Sequence, residues 1–344
     1  MKKEFLFEML KTASPSGGEL SLQKKIMKYT DKFTHKTDFT GNLITSFNND
    51  SEFKVLLAGH VDEIGYMVSD ITSDGFIKVV NVGGVKHQLA QGRRVQILGE
   101  ETVHGTFGIA PGGSPVNTEA KTSDLYIDAG FLKKEQLVGK VAVGDYVVYL
   151  EDVLEISNNR IVGRALDNRL GAFIVTEALI RAKEKKAKVG VYSATTVGEE
   201  STMRGAFWAA ESVKPNLAIV IDVTFTSDYP GVSPHMTGDV SLDGGPTLAK
   251  GSIINDVVNK DLEELAKKMK IDIQWEVAPG RTGTDGDKIH QSAGGVPVVL
   301  VSIPIRYMHS PSEVCSLNDV NDIIELVSEF ISKLDINYDL NPFK

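Results

Sequence analysis

Four short stretches of the chain are apolar at nearly every position and rich in β-branched residues. They are FKVLLAG (53–59), KVGVYSATT (188–196), LAIVIDV (217–223) and VPVVLVSIP (296–304). A strand that is buried on both faces shows such a continuous run, whereas a strand with one solvated face alternates apolar and polar residues. The pattern therefore predicts buried strands of a mostly parallel sheet.

Between and after these strands, apolar residues recur every three or four positions, which is the spacing of one helix face. The positions are Leu170, Phe173, Ile174 and Ala178 after a start near Asp167; Val258, Leu262, Leu265, Ala266 and Met269; and Val320, Ile323, Ile324, Val327, Ile331 and Leu334 after a start at Asn318 or Asp319. Strands that alternate with amphipathic helices predict an α/β/α fold, with helices on both faces of the sheet.

A different pattern fills residues 66–161. Short β-like runs, such as GFIKVVNVGG, RRVQILGE and GKVAVGDYVVYL, are separated there by Gly, Asn and Asp turns, and no helix of normal length is evident. This pattern of short strands and turns predicts a small β barrel or sandwich. It interrupts the α/β pattern, so we expect residues 66–161 to form an inserted β domain and residues 1–65 and 162–344 to form the catalytic domain. Such an insertion adds little to the α/β core, so its expected use is a contact between subunits.

Composition narrows the possible partners. The 344 residues are 42% hydrophobic and 24% charged, as in a globular protein, and the net charge of -9 argues against nucleic acid or an anionic membrane surface as a partner. No run approaches the roughly 20 apolar residues of a membrane span. The single cysteine, Cys315, excludes an internal disulfide and suits a reducing compartment. We therefore expect a cytoplasmic protein.

Acidic residues and histidines follow the predicted strands in order. They are His60 and Asp62 after the first strand, Glu199 and Glu200 after the second, Asp222 at the end of the third, His309 after the fourth, and Asp167 at the start of a helix. In open α/β sheets the ligand crevice lies beyond the carboxyl ends of the strands. We therefore expect these side chains to converge on one edge of one sheet.

Two imidazoles and several carboxylates without a thiolate are the ligand set of a hydrolytic metal centre for zinc, cobalt or manganese. So many acids in one crevice need more than one divalent cation, and a carboxylate shared between two ions roughly 3.5–4 Å apart is the usual arrangement. Asp62 lies two residues beyond His60, on the same side of an extended chain, and is expected to fix the tautomer of that ring.

Each of these residues also has a simpler interpretation. Asp167 could be only a helix N-cap, and the adjacent glutamates could lie in a solvated loop. The other histidines are expected to be structural because none follows a buried strand; they are His35, His87, His104, His235 and His290. The coincidence of complementary ligands at four strand ends and one helix start favours the metal centre.

The segments AGHVDEIGYMV, GRALDNRLGA, TTVGEESTMRGA, IDVT, GRTGTDGDKIH and SIPIRYMHSPSEV resemble, in order and spacing, those of the tetrahedral (TET) metallo-aminopeptidases. Members of this family are often named glutamyl or deblocking aminopeptidases, and some were labelled endoglucanases. The resemblance covers essentially the whole chain, including the inserted domain, for which it implies a small PDZ-like β barrel. It also implies a homo-oligomer built from dimers, often a dodecamer.

The resemblance implies an enzyme that removes N-terminal residues from peptides with a free N-terminus, using two divalent metal ions, zinc or cobalt, and a metal-activated water. The roles that it implies are as follows: His60 and Asp222 hold one ion, Glu200 and His309 hold the other, Asp167 bridges them, Glu199 is the general base, and Asp62 orients His60.

The two adjacent glutamates are expected to differ in role. Successive residues of an extended chain point in opposite directions, so one carboxylate can face the metals while the other faces the substrate. On this interpretation Glu200 is the ligand and Glu199 carries protons.

The chain departs from the family pattern in two places. Gly198 stands where many relatives have Gln, and the segment 111–130 is short and polar for a loop that is often used in assembly. The glycine-rich stretch 279–288 is expected either to let a substrate backbone approach or to be a plain loop. We expect a neutral, leucine-like residue preference, although Arg204, Arg281, Lys288 or Arg306 could each attract an acidic side chain.

Two other functions remain open. A glycoside hydrolase would use Glu199 and Glu200 as its acid and base, but such carboxylates sit at least about 5 Å apart across a sugar ring, which adjacent residues serve poorly. That function would also leave the histidines without a purpose. A non-catalytic metal-binding scaffold would need no free base beside the ligands.

Overall fold

The computed structural model describes residues 2–109, 121–150, 153–233 and 238–343. His235 and residues 111–120 of the polar loop lie outside these ranges. The described α-helices are α1 Lys3–Lys11, α2 Leu20–Tyr29, α3 Leu166–Glu184, α4 Glu199–Thr202, α5 Arg204–Val213, α6 Asp256–Met269, α7 Gly286–Ile289 and α8 Leu317–Lys333. None of these helices is long and apolar enough to cross a membrane.

The strands, numbered in chain order, divide between two sheets. The barrel contains β4 Gly65–Ile71, β5 Ile77–Val82, β6 Arg94–Leu98, β7 Thr102–Phe107, β8 Tyr126–Asp128 and β9 Tyr146–Tyr149. The large sheet contains β1 Thr34–Thr37, β2 Leu43–Phe47, β3 Lys54–His60, β10 Leu154–Ile156, β11 Arg160–Gly163, β12 Gly190–Thr196, β13 Leu217–Phe225, β14 Thr247–Gly251, β15 Gln274–Ala278, β16 Val298–Arg306 and β17 Glu313–Ser316.

The centre of the large sheet consists of the four predicted strands. The order is β1-β2-β12-β3-β13-β16-β17-β11-β10, and β14 pairs with β15 and β16. β12, β3, β13 and β16 are parallel neighbours, whereas β2, β17, β11 and β10 pair antiparallel. The sheet is therefore mixed, and the parallel arrangement expected from the sequence holds at its centre.

Helices cover both faces of the central strands, which explains why those strands are apolar throughout. β3 is buried from its second residue onward, and β13 is buried except at its last residue. α3 packs on β3, β12 and β13 and also on α8, while α5 packs on β3, β12 and α7. This arrangement confirms the predicted α/β fold.

The barrel between β3 and β10 has an apolar core of its own. Its strands close in the order β4-β5-β8-β7-β6-β9, and Tyr66 packs edge-on against Phe107 with ring centroids 4.9 Å apart. The chain returns to the large sheet at β10, because β10 pairs with β11 and β11 pairs with β17. The return therefore comes before residue 162, the boundary expected from the sequence.

Side-chain caps set where two helices begin. Asn255 Oδ1 accepts hydrogen bonds from the backbone N–H of Val257 and Val258, 3.1 Å each, at the start of α6. Ser316 Oγ accepts the N–H of Asn318 at 3.1 Å, so α8 begins at Leu317, one residue before the first start expected from the sequence. Each cap satisfies donors that the first helical turn leaves free.

α3 approaches β3 so closely that only glycine fits at their contact. A Cβ atom built on Gly59 would lie 2.6 Å from the carbonyl carbon of Gly171. Gly59 directly precedes His60, the last residue of β3, and Gly171 lies in the first turns of α3 after Asp167. This contact therefore brings the end of the strand next to the start of the helix.

Replacement of Gly59 by alanine should force α3 away from β3. We expect Gly59→Ala to lower the free energy of unfolding by about 1–3 kcal/mol, the usual cost of overpacking a core. Gly280→Ala is the matched control, because no atom lies within 4 Å of a Cβ built there and no positive φ is involved. Urea unfolding monitored by circular dichroism measures both variants, and equal midpoints would contradict the proposed close contact.

Candidate metal centre

The candidate residues lie together at the carboxyl end of the central strands. Val220 of β13 pairs with Ala58 of β3, so Asp222 and His60, each two residues farther along, lie at matching heights on one face. Glu199 and Glu200 begin α4 directly after β12, Asp167 lies at the start of α3, and His309 follows β16. The structure thus brings together all of the predicted ligand positions.

Asp167 stands between the two imidazoles. Its Oδ1 lies 3.4 Å from His60 Nε2, and its Oδ2 lies 3.2 Å from His309 Nε2. Asp222 Oδ1 is 3.9 Å from His60 Nε2, and Glu200 Oε1 is 3.5 Å from His309 Nε2. The two oxygens of one carboxylate therefore face two separate groups of potential ligands.

Ligand atoms within 4.8 Å of one another occur in three groups among the described residues. They are His60 with Asp167 and Asp222, Asp167 with Glu200 and His309, and His60 with Glu199 and Glu200. The first two groups share Asp167. The set contains nitrogen and oxygen donors and no sulfur, which suits zinc, cobalt or manganese.

Asp167 does not cap α3, contrary to the simpler interpretation. Its backbone angles, φ -78° and ψ 109°, would allow a cap, but no N–H of α3 donates to its carboxylate among the described residues. Asn168 Oδ1 instead accepts the N–H of Gly171 at 2.9 Å and so provides the cap. The carboxylate of Asp167 is therefore left to face the two histidines.

Glu199 and Glu200 lie in the first turn of a short helix rather than in an extended chain, so the reason given for their divergence was wrong. Gly198, with φ +65°, turns the chain from β12 into α4. Successive side chains diverge there because a helix turns about 100° per residue. Glu199 Oε2 lies 3.8 Å from His60 Nε2, whereas Glu200 points to His309.

Asp62 contacts three parts of the site. Its Oδ1 lies 3.4 Å from His60 Nδ1, although the main-chain oxygen of Asp62 is closer to that nitrogen, at 3.1 Å. Its carboxylate also accepts the N–H of Glu199 at 3.0 Å and of Glu200 at 3.2 Å, and Ser16 donates to it. Either oxygen partner of Nδ1 leaves His60 Nε2 free to face the carboxylates.

Glu313 and Glu63 are buried acids near the site that were not expected from the sequence. Glu313 accepts the N–H of Asp167 at 3.1 Å and of His309 at 2.8 Å, and thereby fixes the backbone of both. Glu63 forms ion pairs with Arg164 and Arg169. The available signal was closeness in sequence to the predicted site, since Glu63 directly follows Asp62 and Glu313 lies four residues after His309.

Burial and mutual repulsion raise the pKa of several carboxyls. Burial, together with the nearby Asp222 and Asp285, raises the pKa of Glu199 to about 10, against the opposing effect of His60. Burial also raises the pKa of Asp222 well above its usual range. In addition, Glu199 Oε1 is buried with no hydrogen-bond partner among the described residues. A cation would satisfy these groups, because ligands bind in their deprotonated form.

The pKa of each histidine of the site is also raised, but by the neighbouring carboxylates rather than by burial. Burial alone lowers the pKa of His309, but hydrogen bonds to Asp167 and Glu200 raise it to about 11. The pKa of Asp167 is lowered, because His309 and His60 together outweigh the effect of its burial. Among the residues described, no lysine or arginine lies within 4.0 Å of the site carboxylates, so only imidazoles balance their charge.

Two of the expected cations and the other described histidines lie elsewhere, whereas Arg281 and Lys288 line cavities beside Glu199 and Glu200. Arg306 pairs with Asp228, and Arg204 Nη2 is 4.0 Å from Glu19. His35, His87 and His290 contact Thr30, Thr122 and the Gly286 carbonyl, and neither they nor His104 belong to a metal-competent group in the described parts of the chain.

A cavity of about 360 Å³ opens beside the site. One wall comes from the glycine-rich stretch, through Pro279, Arg281, Thr282, Gly283 and Thr284, and another from Thr224 and Phe225 at the end of β13. This volume is that of a small-ligand pocket. The cavity therefore places a substrate-sized space against the carboxylates and imidazoles.

Comparison with known proteins identifies the family. Residues 41–326 match the model of the M42 glutamyl aminopeptidases. The chain is 34% identical to a protein of Acetivibrio thermocellus, covering 96% of this chain and 100% of that protein. It is 30% identical to the lysyl aminopeptidase of Pyrococcus furiosus, covering 87% of each.

Solved structures of similar fold support the same family. The TET aminopeptidase of Thaumarchaeota archaeon SCGC AB-539-E09 superposes with a TM-score of 0.91 at 30% identity, over 97% of this chain and 96% of that one. The Pyrococcus horikoshii TET1 peptidase, described as assembling into a tetrahedron or a large octahedral shell, gives 0.86 at 28% identity, over 96% and 99%. A Thermotoga maritima protein described as an endoglucanase gives 0.76 at 28%, over 95% and 99%. The chain therefore belongs to the M42 glutamyl aminopeptidase family and is a peptide hydrolase.

Proposed function

We propose that this chain is a dinuclear metal-dependent aminopeptidase, which removes residues from the free N-termini of peptides. The observation that carries the proposal is the position of Asp167, whose two oxygens lie 3.4 Å from His60 and 3.2 Å from His309. A carboxylate that faces two ligand groups at once suits a bridge between two cations. The proposed ions are zinc or cobalt, which accept this donor set equally well.

The residues take distinct roles in the proposal. His60 and Asp222 hold one ion, Glu200 and His309 hold the other, and Asp167 bridges them. Glu199 is then the acid beside His60 Nε2 that holds neither ion, with one oxygen free of any hydrogen-bond partner among the described residues. Asp62 orients His60 and holds the backbone of both glutamates. This assignment leaves one carboxylate free to move a proton.

Divalent cations held in this site would lower the pKa of a water toward about 7 and would polarise a carbonyl group. Glu199 accepts the proton of the attacking water and donates it to the leaving amine, a role worth roughly 10²–10⁴-fold in rate. Glu199 must be ionised to do this, and a neighbouring cation lowers its raised pKa. A bound cation would also accept the free α-amine of the peptide, and an acetyl group would block that contact.

The geometry favours peptide hydrolysis over glycoside hydrolysis. Glu199 and Glu200 lie in one helical turn and face two different imidazoles, His60 and His309. An acid and base across a sugar ring would sit at least about 5 Å apart on opposite sides of the bond and would need neither histidine.

We propose further that the chain forms a homo-oligomer through its barrel, with a dodecamer built from dimers as the favoured assembly. The assembly described for the Pyrococcus horikoshii TET1 peptidase supports this proposal. The net charge of -9 supports a protein that does not bind nucleic acid or a membrane surface, and the buried free thiol of Cys315 supports a cytoplasmic location.

Removal of metal should abolish cleavage, because the carboxylate cluster alone has no means of activating water. We expect exhaustive chelation to eliminate hydrolysis of leucyl-anilide and added zinc or cobalt to restore it. Leucyl-anilide with an acetylated amino group should not be cleaved. Metal-free protein that keeps full activity, or equal cleavage of acetylated peptides, would overturn the proposal. Release of reducing sugar from carboxymethylcellulose would favour the glycosidase instead.

The two adjacent glutamates should give variants that differ in kind. Glu199→Gln should retain both ions and lose roughly 10²–10⁴-fold in kcat, because only the proton carrier is removed. Glu200→Gln should lose affinity for one ion, with activity partly recovered at high metal concentration. Metal content by mass spectrometry, measured beside turnover, separates the two. Glu263 is exposed on α6, so Glu263→Gln is the matched control and should change neither the metal content nor the turnover.

Loss of a metal from Glu199→Gln together with full occupancy in Glu200→Gln would reverse the two roles. Loss of a metal from both variants would instead favour the third ligand group, in which both glutamates join His60.

A further inference from the structure

The cavity beside the candidate metal centre contains one acid that the proposed mechanism does not use. Glu276, on β15, lines this cavity together with Thr224, Phe225 and Val277. The mechanism already assigns a role to each of the other acids that line the cavity. A carboxylate that is partly removed from water loses hydration and needs a partner, so the contacts of Glu276 decide what it does there.

Two hydroxyls hold the Glu276 carboxylate in place. Ser302 Oγ donates to Oε1 at 2.5 Å, and Thr224 Oγ1 donates to Oε2. Ser302 is not exposed to the cavity, whereas Glu276 is, so the carboxylate lies between a hydroxyl behind it and the open space in front. An ionised carboxylate offers about four acceptor positions, so two hydroxyl donors leave it able to accept more hydrogen bonds.

The charge of the Glu276 carboxylate is not balanced by an ion pair in the described parts of the chain. Among the described residues, no lysine or arginine lies within 4.0 Å of its carboxylate. Arg281 also lines the cavity but is exposed and forms no ion pair with it in the part of the chain that the structure describes. Burial raises the pKa of Glu276, and an adjacent ammonium group would lower it again. The pocket therefore has unused capacity for a cation.

The position of Glu276 relative to the proposed ions fits the side chain of a bound N-terminal residue. Ser302 is the register partner of Asp222 on the neighbouring strand, and Thr224 is two residues beyond Asp222, roughly 6–7 Å along β13. Phe225 and Val277 provide apolar surface in the same cavity, where the stem of a bound side chain would lie. A flexible four-carbon stem that ends in an ammonium group is the side chain of lysine.

We propose that Glu276 is the specificity-determining residue of the pocket for the substrate's N-terminal side chain and selects lysine or arginine at that position. This proposal rests on the proposed aminopeptidase function and replaces the neutral preference expected from the sequence. The apolar wall packs on the aliphatic stem, and the carboxylate accepts hydrogen bonds from the ammonium or guanidinium group. An acidic side chain is excluded by repulsion between like charges.

The test compares lysyl-, leucyl- and glutamyl-anilides as substrates of the wild-type, metal-loaded protein and of Glu276→Gln. We expect the wild type to prefer lysine. In Glu276→Gln the ratio of kcat/KM for lysine to that for leucine should fall by about 10- to 100-fold, the value of a hydrogen bond to a charged group. An unchanged circular dichroism spectrum shows that the variant folds. Glu263→Gln is the control of equal charge change.

A second measurement does not depend on turnover. L-lysine should bind the wild-type protein more tightly than L-leucine in calorimetry, and Glu276→Gln should remove that difference. An unchanged lysine-to-leucine ratio, with all substrates lowered alike, would show that Glu276 is only structural and would overturn the proposal. A wild-type preference for glutamate that is lost in Arg281→Gln would also overturn it. If no anilide is cleaved and neither amino acid binds, the proposed aminopeptidase function itself has failed.

Discussion

Repulsion among buried carboxylates at one edge of the sheet is the constraint on which the rest of this structure depends. Asp167, Glu199, Glu200 and Asp222 surround two imidazoles, and no lysine or arginine of the described chain lies within 4.0 Å of them. Unpaired buried charge costs several kcal/mol per group, so the arrangement is stable only with compensating positive charge. Bound divalent cations would provide it, and the same cations would make the edge of the sheet reactive.

The surrounding structure holds these groups in position through their backbones. Asp62 accepts the N–H groups of both glutamates, and Glu313 accepts those of Asp167 and His309. The close approach of β3 and α3 at Gly59 brings the strand end next to the helix start. Each candidate ligand is therefore fixed by the fold before any cation binds, which is the usual requirement for a selective metal site.

The sequence predicted the central strands and the shared edge because continuous apolar runs and parallel strand ends follow simple geometric rules. It did not predict Glu313 or Glu276, because their roles depend on contacts across the sheet that no periodic pattern records. It also missed the turn of helix at Glu199, which Gly198 starts with a positive φ. The antiparallel flanks went unpredicted for a similar reason, since short strands such as Glu313–Ser316 carry little signal of their own.

The bridging position of Asp167 is the central claim, and anomalous diffraction from crystals grown with zinc tests it most directly. The account predicts two anomalous peaks roughly 3.5–4 Å apart, one on each side of the Asp167 carboxylate, the first beside His60 and Asp222 and the second beside Glu200 and His309. A single peak, or a pair that leaves Asp167 without contact to one of the ions, would contradict it.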